Sequence, residues 1–203
     1  MLTKQIKNFI IGATMLCSAW SFMSANHSQP RQINARADIV SVTELDDIDF
    51  DLEARKYVPE RLQWKIEETN ILVEYGQLED YHDIEVAEGE NILGFYRHDG
   101  SAIVLESDDT DIMSTLKHEL GHAVDIYMED GVTKYMYSGS DYFQEIFREE
   151  GEVLFEPGAY GLSDIHEYFA ECYSMYLDDN YKAELEEYAP RTYSYIQNVV
   201  WRS

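Results

Sequence analysis

Residues 112–127 read I-M-S-T-L-K-H-E-L-G-H-A-V-D-I-Y, and the rest of the chain is best read outward from this stretch. Its apolar positions Ile112, Leu116, Leu120, Ala123 and Tyr127 recur at helical spacing. Ahead of them Asp108, Asp109 and Thr110 offer a cap and negative charge for the positive end of a helix. The pattern predicts a helix from about residue 109, ended by Gly131. On it His118 and His122 lie one turn apart and about 40° around the axis, so both imidazoles can face one ion. Glu119 falls on the flank of that face, suited to take a proton from a water on the metal rather than to bind the metal. The spacing describes two metal ligands and a base.

A catalytic zinc wants a third protein ligand and one open position. Candidates come from Gly161 to Glu171, G-L-S-D-I-H-E-Y-F-A-E. Ser163 or Asp164 can cap a helix over about 164–178, whose apolar stripe is Ile165, Phe169, Cys172, Tyr173 and Tyr176. His166 and Glu167 stand about 100° apart on such a helix, so only one of them is expected to reach the ion. Glu171 lies one turn beyond Glu167 on the same face and can orient a ligating histidine, whereas the matching neighbour of His166 is Ala170, which can support nothing. Spacing therefore favours Glu167, with His166 or a ligand elsewhere as alternatives. Asp125, three residues past His122, shares the metal face and is a second acceptor for a ligand imidazole.

Upstream, Pro59 at a first helical position predicts a helix over about 59–69. Ile71-Leu72-Val73 reads as a strand. Ile92 to Tyr96 and Ala102 to Leu105 flank His98-Asp99-Gly100, a hairpin signal. Downstream, further helices are expected over Asp141 to Arg148 and about 190–200. Strands first and helices after, without alternation, predict an α+β fold: a small sheet, the metal helix and a mainly helical C-terminal half.

The chain has 203 residues, and its first 25 stand apart. Lys4 and Lys7 precede an apolar run from Phe9 to Leu16, then small residues, the layout of a secretory signal peptide cleaved near Ala25 or Ala19. Residues 26–58 read as a flexible polar arm with one short strand candidate at Ile39 to Val42, and 59–203 as the folded domain. Without the leader the chain carries 13 basic against 40 acidic residues, a net charge of −27. Such a surface repels nucleic acid and anionic lipid and excludes them as partners. Cys172 is then the one cysteine left, so an exported chain must rely on its core, a metal or both rather than a disulfide. A monomer is expected.

The segments His118-Glu119-Leu120-Gly121-His122-Ala123-Val124-Asp125, Glu167-Tyr168-Phe169-Ala170-Glu171 and Pro190-Arg191-Thr192-Tyr193-Ser194-Tyr195-Ile196 resemble the catalytic domain of anthrax lethal factor and the related secreted Pro-Pro endopeptidases. The likeness is strong from about Leu116 to the end and fainter over Pro59 to Glu106. It implies a zincin-like zinc metalloendopeptidase, secreted and extracellular, with His118, His122 and Glu167 as zinc ligands and Glu119 as general base. It also implies that Tyr160, seven residues before the third ligand, stabilises the transition state; a phenol beside the metal can hydrogen-bond the charged oxygen. Residues 86–107 lack the tryptophan that Pro-Pro endopeptidases use to read substrate, so cleavage between prolines is not implied. Ala102 to Leu105 is the expected edge for an extended protein or peptide substrate. The alternative readings are a non-catalytic zinc-binding extracellular protein and a hydrolase of cell-wall peptides. A closed structural site would use four protein ligands and have no need of Glu119 or Tyr160.

Overall fold

The computed structural model describes residues 45, 48–74, 92–97, 100–128 and 134–202. The leader, its cleavage site and the strand candidate at Ile39 to Val42 lie outside these residues, as do His98, Asp99 and Gly131.

The first described helix, α1 (Phe50–Lys56), lies within the stretch read as a flexible arm. Its local signals are complete: Asp49 accepts a hydrogen bond from the backbone N–H of Leu52 at 3.0 Å, acids occupy the first turn, and Arg55 and Lys56 the last. Phe50, Ala54 and Val58 turn one face into the main core. The folded part thus begins before Pro59, because those three residues are spaced to bury a helical stripe. A single 3-10 turn (Glu60–Leu62) and α2 (Gln63–Glu68) follow.

Three strands form the main sheet: β1 (Asn70–Glu74), β2 (Gly94–Tyr96) and β3 (Ala102–Glu106). Their order is β1-β3-β2, with β1 parallel and β2 antiparallel to β3. The β2–β3 hairpin matches its Asp-Gly signal, and Gly100 takes the left-handed backbone, φ 78°, that favours glycine. The expected substrate edge does not survive. Ala102 to Leu105 pairs on both sides and every residue of β3 is buried, so it has no edge to offer.

The long helix α3 (Ile112–Asp125) stops two residues before Tyr127. Ile126 takes extended backbone and opens β4 (Ile126–Met128), which pairs with β5 (Lys134–Met136) in a second hairpin that periodicity did not suggest. Then come α4 (Asp141–Leu154), capped by Ser140 and nearly two turns longer than expected, and α5 (Ile165–Leu177). They are followed by α6 (Lys182–Tyr188), α7 (Pro190–Tyr195) and a π-helical end (Ile196–Trp201). The fold is α+β, mostly helical with a small sheet.

One core joins these parts. Leu116, Leu120 and Val124 of α3 meet Phe143 and Ile146 of α4, Phe169 and Tyr173 of α5, and Ile196, all buried. Each apolar side chain of this kind contributes about 2 kcal/mol by leaving water. α7 is anchored by a buried acid: Glu150 accepts from the backbone N–H of Arg191 (2.9 Å), the N–H of Thr192 (2.9 Å) and the Thr192 hydroxyl (2.8 Å). Replacing Glu150 by Ala strands these donors at the first turn of α7 and is expected to cost about 3 kcal/mol in chemical denaturation. A change below about 0.5 kcal/mol would mean water serves those donors equally well.

Candidate metal centre

α3 and α5 run antiparallel, face to face. Lys117 bridges to Asp178 at one end (3.2 Å), His118 and His122 face Glu171 and Glu167, and Asp125 meets His166 at the other end (3.2 Å). Gly121 makes this approach possible. A Cβ there would come within 2.7 Å of Ala170 Cα and 3.1 Å of its carbonyl oxygen, so the two backbones all but touch.

Three donor atoms converge in the gap. His118 Nε2 lies 3.2 Å from His122 Nε2, and Glu167 Oε2 lies 3.3 Å from each. Despite that closeness no aligned hydrogen bond reaches Glu167 Oε2, a buried atom. A tetrahedral ion with bonds of about 2.0 Å needs donors about 3.3 Å apart, and zinc binds imidazole nitrogen and carboxylate oxygen at that length. The triangle fits such an ion, and among the described residues it is the one group of three that could hold a metal.

The surroundings tune each group. Burial would raise the Glu167 carboxyl, but the two imidazoles outweigh it and hold Glu167 well below the usual carboxylate range. Burial drives His118 down. It would also lower His122, yet Glu167, Glu119 and Asp125 push that imidazole up to about 9. A metal on Nε2 must displace this proton. Glu119, 2% exposed, is pushed up to about 7, chiefly by burial; Glu167 adds to the rise, while His122 and a hydrogen bond from the Tyr96 backbone N–H oppose it. β2 thereby touches the base, a contact no motif announced.

Glu171 is fully buried and its Oε1 stands 3.5 Å from His118 Nδ1, on the far side of the ring from the donor triangle. Tyr160 sits in a 3-10 turn (Tyr160–Leu162) with its ring centroid 6.2 Å from that of His118. Burial and the negative charge of nearby Glu167 push the phenol well above its ordinary range, so it stays protonated. His166 stands outside the triangle. Its Nδ1 lies 2.7 Å from Ser138 Oγ and 3.2 Å from Asp125 Oδ2, and its side chain is 41% exposed. The hydrogen bonds of Asp125 go to Ser138 and His166 rather than to a ligand imidazole. Ser138 lay outside every motif, and nothing in its neighbourhood signalled it.

A family model described as "Anthrax toxin lethal factor, N- and C-terminal domain" matches residues 60–199. The Pro-Pro endopeptidase of Clostridioides difficile (strain 630) is 32% identical over 83 residues, 40% of this chain and 35% of that protein. The lethal factor of Bacillus anthracis is 27% identical over 129 residues, 59% of this chain and 16% of its own length. The chain thus spans about a third or less of the curated relatives it matches. The solved structure of the Pro-Pro endopeptidase PPEP-2 from Paenibacillus alvei aligns with a TM-score of 0.55 at 20% identity, covering 73% of this chain and 88% of that one, a likeness of fold. The donor triangle, Glu119 and the Tyr160 turn all lie inside the matched span, and the chain belongs to the anthrax toxin lethal factor family.

Proposed function

We propose that this protein is an exported zinc metalloendopeptidase of zincin type, cleaving peptide bonds of extracellular or cell-surface proteins. The observation that carries the reading is the triangle of His118, His122 and Glu167, sized for a tetrahedral ion, with a buried glutamate that ionises near neutrality beside it. The name of the Clostridioides difficile relative, Pro-Pro endopeptidase, supports peptide hydrolysis in the same direction.

Zinc on these three donors would act as a Lewis acid on the scissile carbonyl and bring a water's pKa down towards about 7. Glu119 takes the proton of the attacking water and delivers it to the leaving amine as the C–N bond breaks, and a carboxyl near pKa 7 does both at little cost. Tyr160, kept protonated, donates to the carbonyl oxygen as it gains charge. Glu171 Oε1 faces His118 Nδ1 at 3.5 Å without an aligned hydrogen bond, and in the metal-bound site it would accept from that nitrogen, which leaves Nε2 as the lone-pair side of the ring.

Elemental analysis of the purified protein is expected to give about one zinc per chain, falling to near zero in His122→Ala. A variant that keeps full stoichiometry would remove His122 from the site. Incubation with a proteome-derived peptide library, read by mass spectrometry, tests the activity and reports the residues around the cut. The absence of cuts above those of a Glu119→Gln control would sink the peptidase reading. Export is tested separately: the protein recovered from culture medium should begin at residue 20 or 26, and an intact first residue would argue against a cleaved leader.

A further inference from the structure

Beside the donor triangle three polar side chains from three segments meet: Asp125 ends α3, Ser138 follows β5, and His166 is the second residue of α5. The Asp125 carboxylate is 1% exposed and accepts from the Ser138 backbone N–H at 2.8 Å and the Ser138 hydroxyl at 2.6 Å. Ser138 has one hydroxyl hydrogen, and Asp125 takes it. His166 must therefore carry its hydrogen on Nδ1, donating to Ser138 Oγ at 2.7 Å and towards Asp125 Oδ2 at 3.2 Å. The direction of every bond in the cluster is set.

None of the three touches a donor atom of the triangle, yet the cluster joins the two helices that carry them. Asp125 lies three residues beyond His122, and His166 adjoins Glu167. The backbone between is held as well: Asp164 Oδ1 accepts from the N–H of His166 at 2.6 Å and of Glu167 at 3.1 Å. Glu167 is thus fixed by a cap on its own helix and, through the ring of its neighbour, by a buried carboxylate on the facing helix. A buried carboxylate whose donors are all specified resists displacement, because losing one leaves the charge short of solvation.

We infer that Asp125, Ser138 and His166 form a clasp of positioning residues that holds Glu167 in register with His118 and His122, making metal affinity depend on Ser138. The inference rests on the metal-site reading above. Its physical basis is tolerance: donor distances must hold within about 0.2 Å. Two other restraints on the α3–α5 pair, the Gly121–Ala170 contact and the Lys117–Asp178 bridge, engage α5 at residues beyond Glu167 rather than in its first turn.

The test is zinc affinity, measured by competition with a chromophoric chelator, for Ser138→Ala, His166→Gln and His166→Asn, beside melting temperatures of the metal-free proteins. Asn can place an amide N–H near the position of Nδ1, whereas Gln places its amide nearer Nε2. Ser138→Ala and His166→Gln are expected to lose about tenfold in zinc affinity, the lower end of what supporting residues contribute. His166→Asn should stay within about threefold of wild type; metal-free Ser138→Ala should melt lower, because the buried Asp125 loses a donor, while both His166 variants, at a part-exposed position, should melt close to wild type. Equal losses in the Asn and Gln variants, losses that follow the metal-free melting temperature across the three variants, or affinities all within twofold would overturn the clasp. Wild-type protein that binds no zinc would instead defeat the metal-site reading itself, and the clasp with it.

Discussion

A Glu119→Gln variant should retain about one zinc per chain and cut peptides about a thousandfold more slowly than the wild type. The magnitude follows from the role, since a positioned general base contributes about 10²–10⁴-fold. The carboxamide keeps the shape of the side chain, and its oxygen can still accept the Tyr96 backbone N–H, so the donor triangle has no reason to move. What is lost is the ability to take and return a proton. A second consequence separates this role from a structural one. Burial of Glu119 opposes its ionisation, so at and above neutral pH the charged form weighs against the fold, and the neutral amide removes that weight. The variant should therefore melt at the wild-type temperature or above it, the expected signature of a group kept for chemistry at the expense of stability. Turnover within tenfold of wild type, or a variant that loses its metal, would remove Glu119 as the base.

The helix that carries the two candidate histidine ligands was legible because its proposed chemistry and its burial share one period. His118 and His122 are four apart, and Leu116, Leu120 and Ala123 fill the core from the opposite side. Glu167 and Glu171 were legible by the same face argument, and their distances to His118 agree with it. Tyr160 was not, since a tyrosine in a 3-10 turn has no period to betray it, and only the family resemblance raised it. The end of α3 was overrun because Ile126 and Tyr127 continue the apolar rhythm, while β4 and β5 are too short to show an alternation of their own. The position of β3 was legible and misread. Ala102-Ile103-Val104-Leu105 is continuously apolar, the mark of a strand covered on both faces rather than one waiting for a partner. Ser138 illustrates a limit of another kind: its importance lies in which segments it joins, and that is a property of the tertiary fold.

Gly121→Ala should damage the protein twice, in stability and, more severely, in metal binding. On an exposed helix the change would add about 1 kcal/mol of stability, because Ala is the better helix former. Here the new Cβ would stand 2.7 Å from Ala170 Cα, where ordinary contact begins at 3.4 Å, so α3 and α5 must part by about 0.7 Å. Overpacking of this kind costs about 1–3 kcal/mol, which offsets the helix propensity and leaves a net loss of up to about 2 kcal/mol. In a folded unit of about 150 residues that lowers the melting temperature by up to about 8 °C. The shift is also several times the roughly 0.2 Å that donor distances tolerate, and His118 and His122 move on one helix while Glu167 moves on the other. Zinc affinity should fall by about 100-fold, more than stability alone would suggest, measured by chelator competition below the melting transition. Adding Ala170→Gly should not restore it, because the obstacle is the Ala170 backbone and not its methyl group. Wild-type zinc affinity in Gly121→Ala, or full rescue by Ala170→Gly, would show that the helices can repack around the contact and that the donor triangle does not depend on it.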